Sequence, residues 1–253
     1  MNLPVSAAVV AGASGALGAA VARCLTERGF HVVATFCATE PVGATVPGMT
    51  WVRFDARRAA TADAVADAVR STGLPLSAVV YAIGSPSSKR RLADSPVEEA
   101  ADLFTVNALG LVALWRAVAP AARSASARVV AVGSQATRAL GAGNGPYSAS
   151  KAALEAFALT LAKEEARHGV RVNVVAPSLI ASAQAERILA LKGVTDPQAH
   201  YRTLPWGRAL DLAEVAEAVT HLAADPAWAY LSGQVLPLAA DVPTSPAFGS
   251  EPS

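Results

Sequence analysis

Seven short runs of β-branched and apolar residues constrain this chain more than any other feature. They are VSAAVVA at 5–11, HVVATF at 31–36, WVRF at 51–54, SAVVYA at 77–82, RVVAVG at 128–133, RVNVVA at 171–176 and QVLPL at 234–238. Alanine-rich stretches of helical length separate most of them. Strands alternating with helices build a parallel sheet, and strands that are apolar throughout need helices on both faces. The expected fold is therefore α/β, a doubly wound, seven-stranded parallel sheet. Seven strands account for nearly the whole chain and no linker interrupts it, so residues 1–253 read as a single domain. Two places break the rhythm. CATEPVGATVPGMT at 37–50 carries Pro41, Gly43, Pro47 and Gly48, which argues for a loop or one turn instead of a crossover helix. The Pro- and Ser-rich end, 242–253, reads as a flexible or subunit-contacting tail.

Composition excludes several function classes. Only 16% of residues are charged against 53% hydrophobic, the balance of a packed globular chain. A net charge of +1 gives no field to attract nucleic acid or an anionic membrane, so neither is expected as a partner. Cys24 and Cys37 form no disulfide framework or ligand cluster, and a reducing cytoplasm is the expected setting. His31, His168, His200 and His221 are scattered without metal-ligand spacing, so no metal is expected. The first residues lack a basic segment and their apolar run is far below spanning length, so neither a signal peptide nor a transmembrane helix is read.

The first strand runs into AGASGALG, which holds Gly12, Ser14, Gly15, Leu17 and Gly18, and then into an amphipathic helix. Glycines at a strand-helix junction permit a tight turn and let backbone N–H groups approach a phosphate, while the helix N-terminus favours the anion. Glycines also ease helix-strand packing, but the place of this motif on the first strand of a parallel sheet favours the nucleotide. Thr35 stands at the end of the second strand, where dinucleotide folds often carry an acid for the adenosine ribose. Without a carboxylate a 2′-phosphate is not repelled, so NADP(H) is preferred and NAD(H) is the other choice. Asp55, after the third strand, is a candidate for the adenine edge and equally an ordinary turn residue.

In GNGPYSASKAALEAF, Tyr147 lies four residues before Lys151, on one face of an expected helix. Chance supplies that spacing often. With Ser134 in AVGSQ thirteen residues upstream, Asn107 in FTVNALG and the glycine loop, the set resembles the short-chain dehydrogenase/reductase family over about 5–241, in particular its 3-oxoacyl-carrier-protein reductase branch. The resemblance implies a Rossmann fold, Asn107, Ser134, Tyr147 and Lys151 as the catalytic set, and Gly84 and Ala82 as cofactor contacts. It also implies that Asn107 helps hold a water near Lys151, and that Lys151 meets the nicotinamide ribose. Pro177, Ile180 and Ser182 fall where the family meets the nicotinamide, Ser182 being equally a helix N-cap. The chain departs from the family pattern in three places. YAIG at 81–84 replaces Asn-Asn-Ala-Gly, so that the strands and loops on the adenosine side must be tied differently; Pro177-Ser178 replaces Pro-Gly; and AAD replaces Asp-Gly-Gly near the end.

Reduction of a carbonyl needs a hydride on carbon and a proton on oxygen, and a nicotinamide supplies only the hydride. A phenol near pKa 10 is a protonated acid at pH 7, and a neighbouring ammonium brings it toward working pH. These are the roles expected of Tyr147 and Lys151, with Ser134 donating to the carbonyl oxygen. The chain is read as an NADPH-dependent ketone reductase. The alternatives are an NAD-linked dehydrogenase of a small polar or cyclic secondary alcohol and, from another class, a dinucleotide-sensing regulator. The last is disfavoured because all four reacting residues are present. By position, Gln135, Arg138, Leu140, Leu179 and Trp206 are candidates to line the pocket for a small-molecule or carrier-protein-bound substrate, and an inward Arg138 would favour an anionic one. The run Lys89 to Arg91 is a candidate for a 2′-phosphate or an acidic carrier protein, or a solvated surface. Long apolar helices at 97–122 and 149–167 imply, with the family, a homo-oligomer, a tetramer or dimer.

Overall fold

The structure, a computed structural model, describes residues 5–40 and 47–239. The strands are β1 (Ser6–Ala11), β2 (Phe30–Phe36), β3 (Met49–Arg53), β4 (Leu76–Tyr81), β5 (Arg128–Val132), β6 (Arg171–Pro177) and β7 (Val235–Leu238). They form one sheet in the order β3-β2-β1-β4-β5-β6-β7, every pair parallel. Each of the seven runs becomes a strand, displaced by at most two residues at either end. The α-helices are α1 (Ala16–Glu27), α2 (Ala62–Ser71), α3 (Val97–Phe104), α4 (Gly110–Ser124), α5 (Ala136–Ala139), α6 (Gly145–Glu164), α7 (Ala183–Leu191), α8 (Pro197–Arg202) and α9 (Leu212–Ala224). The tail and residues 41–46 of the β2–β3 connection lie outside the described residues.

The two-residue period of the strands sorts their side chains onto two cores. Val9, Val79, Val129, Val172 and Val174 face one layer, packed under α2, α4 and α6. Their neighbours Ala8, Val10, Val80, Val130 and Val175 face the other, under α1 and α9. Small strand residues, mostly Ala and Val, let the helices sit close to the sheet.

Strand order reverses between β1 and β4, which leave toward opposite edges. At such a reversal the crossover helices diverge to opposite faces and open a crevice beyond the carboxyl ends of the strands. The candidate catalytic and cofactor-contacting residues lie around or beneath that crevice.

The expected helix over 97–122 is not continuous. It divides into α3, a π-helical turn (Thr105–Leu109) and α4, and Asn107 sits at the centre of the π turn. The reason lies in Tyr81 and Gly110. The Tyr81 hydroxyl donates to the Val106 carbonyl oxygen at 2.6 Å, and a Cβ on Gly110 would stand 2.1 Å from that hydroxyl. The phenol thus enters the helix ladder where only glycine leaves room. This is how YAIG ties β4 to its neighbours in place of asparagines: one long side chain reaches across and holds the helix instead. By composition Val97–Ser124 is long and apolar enough to cross a bilayer, yet Leu111, Leu114 and Val118 are sealed within the first core.

Candidate active site

The glycine loop is shaped by close contact. Gly12 has φ +87°, and its N–H donates to Thr35 Oγ1 at 3.0 Å. A Cβ on Gly18 would lie 2.2 Å from the Gly12 carbonyl oxygen, so no other residue fits where α1 meets the loop. Helix α1 begins at Gly15 without a side-chain cap, which leaves its first N–H groups to an anion. Thr35 is buried, and its hydroxyl is committed to the loop, not turned toward a ribose. Asp55 is a turn residue, its carboxylate accepting from the Arg57 N–H at 3.0 Å, and it also lines the adjoining cavity.

Two cavities meet across this loop. One, of about 220 Å³, is lined by Gly12, Ser14, Gly15, Thr35, Asp55, Arg57, Ala82 and Gly84. The other, of about 560 Å³, continues past Leu17, Gly18, Ser134, Tyr147, Lys151, Pro177, Ile180 and Ser182. Gly15, Ala82 and Gly84 belong to both walls. All fourteen candidate cofactor contacts therefore line one elongated, two-chambered crevice. A helix N-terminus stands at its middle and its wall is glycine where a backbone must be approached, the form an extended dinucleotide needs.

The reacting side chains converge on the larger chamber. Tyr147 and Lys151 are one turn apart on α6, and Ser134 follows β5. The Tyr147 phenol is hydrogen-bonded to Ser134; burial raises its pKa and that bond pulls it part of the way back. Lys151, 3% exposed, donates to the carbonyl oxygens of Val132 at 2.9 Å and Ile83 at 3.4 Å. Burial lowers its pKa to about 8. The ammonium expected to tune Tyr147 is thus anchored on backbone carbonyls. A Cβ on Gly84 would meet Lys151 Nζ at 3.2 Å, so glycine there keeps the ammonium accessible from the crevice.

Asn107 lies beneath the crevice and is fully buried. Its amide donates to Ser85 O at 3.1 Å and Ser150 Oγ at 2.9 Å, and its Oδ1 accepts from the Ser85 N–H at 2.7 Å. Both donors are occupied, so the side chain clamps the loop after β4 to α6 beside Lys151. Ser182 caps α7, its Oγ accepting from the Ala185 N–H at 3.1 Å, and lines the crevice as well.

Of the five candidate substrate residues, Gln135 and Leu179 line the larger chamber. Arg138, Leu140 and Trp206 do not. They are exposed, Leu140 by 71% and Trp206 by 74%, and these two sit at positive φ in turns that direct them outward. Lys89, Asn144, Gln184, Ile188 and Lys192, which the sequence did not single out as pocket residues, line the chamber instead. Lys89 belonged to a noted basic run, but only the fold shows which way that run turns.

The family model described as enoyl-(acyl carrier protein) reductase matches residues 12–240. The chain belongs to the short-chain dehydrogenase/reductase family. It is 31% identical to carbonyl reductase family member 4 of Danio rerio over 90% of this chain and 94% of that protein. It is also 31% identical to the 3-oxoacyl-acyl-carrier-protein reductase FabG of Vibrio cholerae, over 93% and 96%. Among solved structures, a single-site variant of actinorhodin polyketide ketoreductase with NADPH shares the fold at TM-score 0.85 and 24% identity, covering 92% of this chain and 95% of that one. This short-chain dehydrogenase/reductase is an NAD(P)-dependent oxidoreductase.

Proposed function

We propose that the enzyme reduces a ketone to a secondary alcohol, with NADPH as hydride donor and Tyr147 as general acid. The observation that carries this reading is the convergence of a phenol, a serine hydroxyl bonded to it and a buried ammonium on one wall of the dinucleotide-shaped crevice. A nicotinamide held beside Tyr147, Lys151, Pro177 and Ile180 would supply the hydride. Ser134 and Tyr147 together offer hydrogen bonds to one oxygen, fixing the carbonyl and stabilising charge as it develops there. Tyr147 then delivers its proton to that oxygen. Lys151 holds positive charge next to this chemistry below pH about 8. Asn107 acts through Ser85 and Ser150 as a positioning residue.

Preference for NADP(H) over NAD(H) rests on the end of β2, where Thr35, Phe36 and Cys37 bring no carboxylate to the adenosine chamber. Arg57 adds positive charge to that wall, although Asp102 pairs with it at 2.6 Å. The names of the similar reductases favour an oxoacyl or other carbonyl substrate, free or bound to a carrier protein. Screening NADPH and NADH oxidation against acyl thioesters, diketones, sugars and cyclic ketones tests the proposal. Turnover with NADPH that Tyr147→Phe abolishes supports it; cofactor binding without turnover of any carbonyl refutes it, and tighter binding of NADH refutes the cofactor preference.

A further inference from the structure

The larger chamber has an electrostatic imbalance that carbonyl reduction itself does not require. Its described walls hold three lysines, Lys89, Lys151 and Lys192, and no aspartate or glutamate. Lys151 belongs to the reacting set. Lys89 and Lys192 stand nearer the mouth, on opposite elements: Lys89 in the loop after β4 and Lys192 at the C-terminal end of α7. Among the described residues neither makes an ion pair.

Lys89 is held in place, not left to wander. Its backbone has φ +64°, uncommon for a residue with a side chain. Gly143, itself at φ +74°, lies so close that a Cβ there would stand 2.5 Å from the Lys89 carbonyl oxygen. The turn before α6 therefore locks the lysine loop against the catalytic helix. From that position Lys89 Nζ hydrogen-bonds Asn144 Oδ1 and lies 5.4 Å from the centre of the Tyr147 ring. A fixed cation thus sits within one side chain's length of the proposed acid. Arg90 and Arg91, the rest of the basic run, are exposed, and Lys89 lines the larger chamber, not the one that holds Thr35 and Asp55. That placement favours a role for Lys89 toward the substrate over one toward a 2′-phosphate.

We infer that Lys89 and Lys192 form a substrate-selecting anion site: the ketone this enzyme reduces carries a carboxylate or phosphate close to its carbonyl group. This rests on the ketone-reductase reading and names its substrate class. Two like charges facing one partly desolvated chamber repel, and burial with the Lys192 charge lowers the Lys89 pKa. An anion between them removes that repulsion and replaces lost water, while a neutral ketone does neither. Arg138, the cation the sequence offered for this task, points away, and the two lysines take its place.

The first test compares a 3-oxo acid with its methyl ester, acetoacetate against methyl acetoacetate, as NADPH-dependent substrates. The acid should have the higher kcat/KM in the wild type. The acid-to-ester ratio should fall at least tenfold in the Lys89→Met/Lys192→Met variant and largely recover in Lys89→Arg/Lys192→Arg. A ratio that the double methionine variant leaves unchanged overturns the inference. The second test does not depend on turnover. Malonate and, separately, inorganic phosphate are titrated calorimetrically into NADPH-saturated protein. Saturable binding of either one, weakened at least tenfold in the methionine variant, supports the site and shows which anion it takes; no saturable heat from either overturns it. Should no carbonyl compound be reduced, the ketone reading fails, and the titrations still decide the lysine site.

Discussion

Among the described residues, no histidine or carboxylate is hydrogen-bonded to Tyr147 to share its proton; its partner is Ser134. Removing the phenolic hydroxyl in Tyr147→Phe should lower kcat about 10²- to 10⁴-fold while leaving NADPH binding intact, measurable by steady-state kinetics and cofactor fluorescence. Lys151 contributes a pH limb. Its folded pKa, lowered to about 8 by burial, means that the ammonium is lost at a pH where an ordinary lysine remains charged. Because Tyr147 is shifted upward it stays protonated through the same range. Reductive kcat/KM should therefore be level below neutrality and fall through about pH 8; a profile flat well into the alkaline range would contradict the assignment. The sign for stability is opposite. A lysine with a depressed folded pKa disfavours the fold while it is charged, so its contribution improves as pH rises from about 8 toward 10.5. Denaturant unfolding of the wild type should show that gain, and Lys151→Met should lack it.

At the scale of elements, two glycines mark places where chain meets chain too closely for a Cβ. Gly18→Ala would force α1 away from the Gly12 carbonyl and distort the phosphate-facing loop. The expected result is a loss of NADPH affinity of tenfold or more with little change in far-UV circular dichroism. Gly110→Ala would drive a methyl group into the Tyr81 hydroxyl, and overpacking of this kind costs about 1–3 kcal/mol. Combining it with Tyr81→Phe opens the contested space. The double variant should be less destabilised than the sum of the two single changes, as a double-mutant cycle in urea would measure. This pair also accounts for the π turn, whose presence no periodicity in FTVNALGLVALW announces. The turn puts Asn107 under the crevice, where an uninterrupted α-helix would carry the residues after it to a different angle.

The whole molecule leaves apolar side chains uncovered on one side. Phe104, Leu109 and Val112, along α3 to α4, are each 36–40% exposed, and Phe104 meets Phe157 of α6 edge-on at 6.3 Å. This is the surface on which we propose that copies of the chain associate as a dimer or tetramer. Light scattering at micromolar protein should give a mass at least twice 25.7 kDa, and a monomer mass would refute it. The strands, their alternation with helices and the crevice's glycine rim were legible in the sequence because each depends on neighbours a few residues apart. Two-residue alternation, β-branched runs and glycine at tight junctions are local signals. The walls of the substrate chamber were not legible. Gln135 and Leu179 line it, while Arg138, Leu140 and Trp206, no less plausible by position, turn to solvent.

By itself, then, the amino-acid sequence determined the α/β class and the family and put forward the set Asn107, Ser134, Tyr147 and Lys151, because strand period, helical spacing and motif order can be read along the chain. Only the tertiary structure decided which partners those residues take: Lys151 on the carbonyls of Val132 and Ile83, Asn107 on Ser85 and Ser150, Lys89 over the Tyr147 ring. These contacts join positions 19 to 68 residues apart, and the direction of each side chain is set by backbone that packs against it from another element.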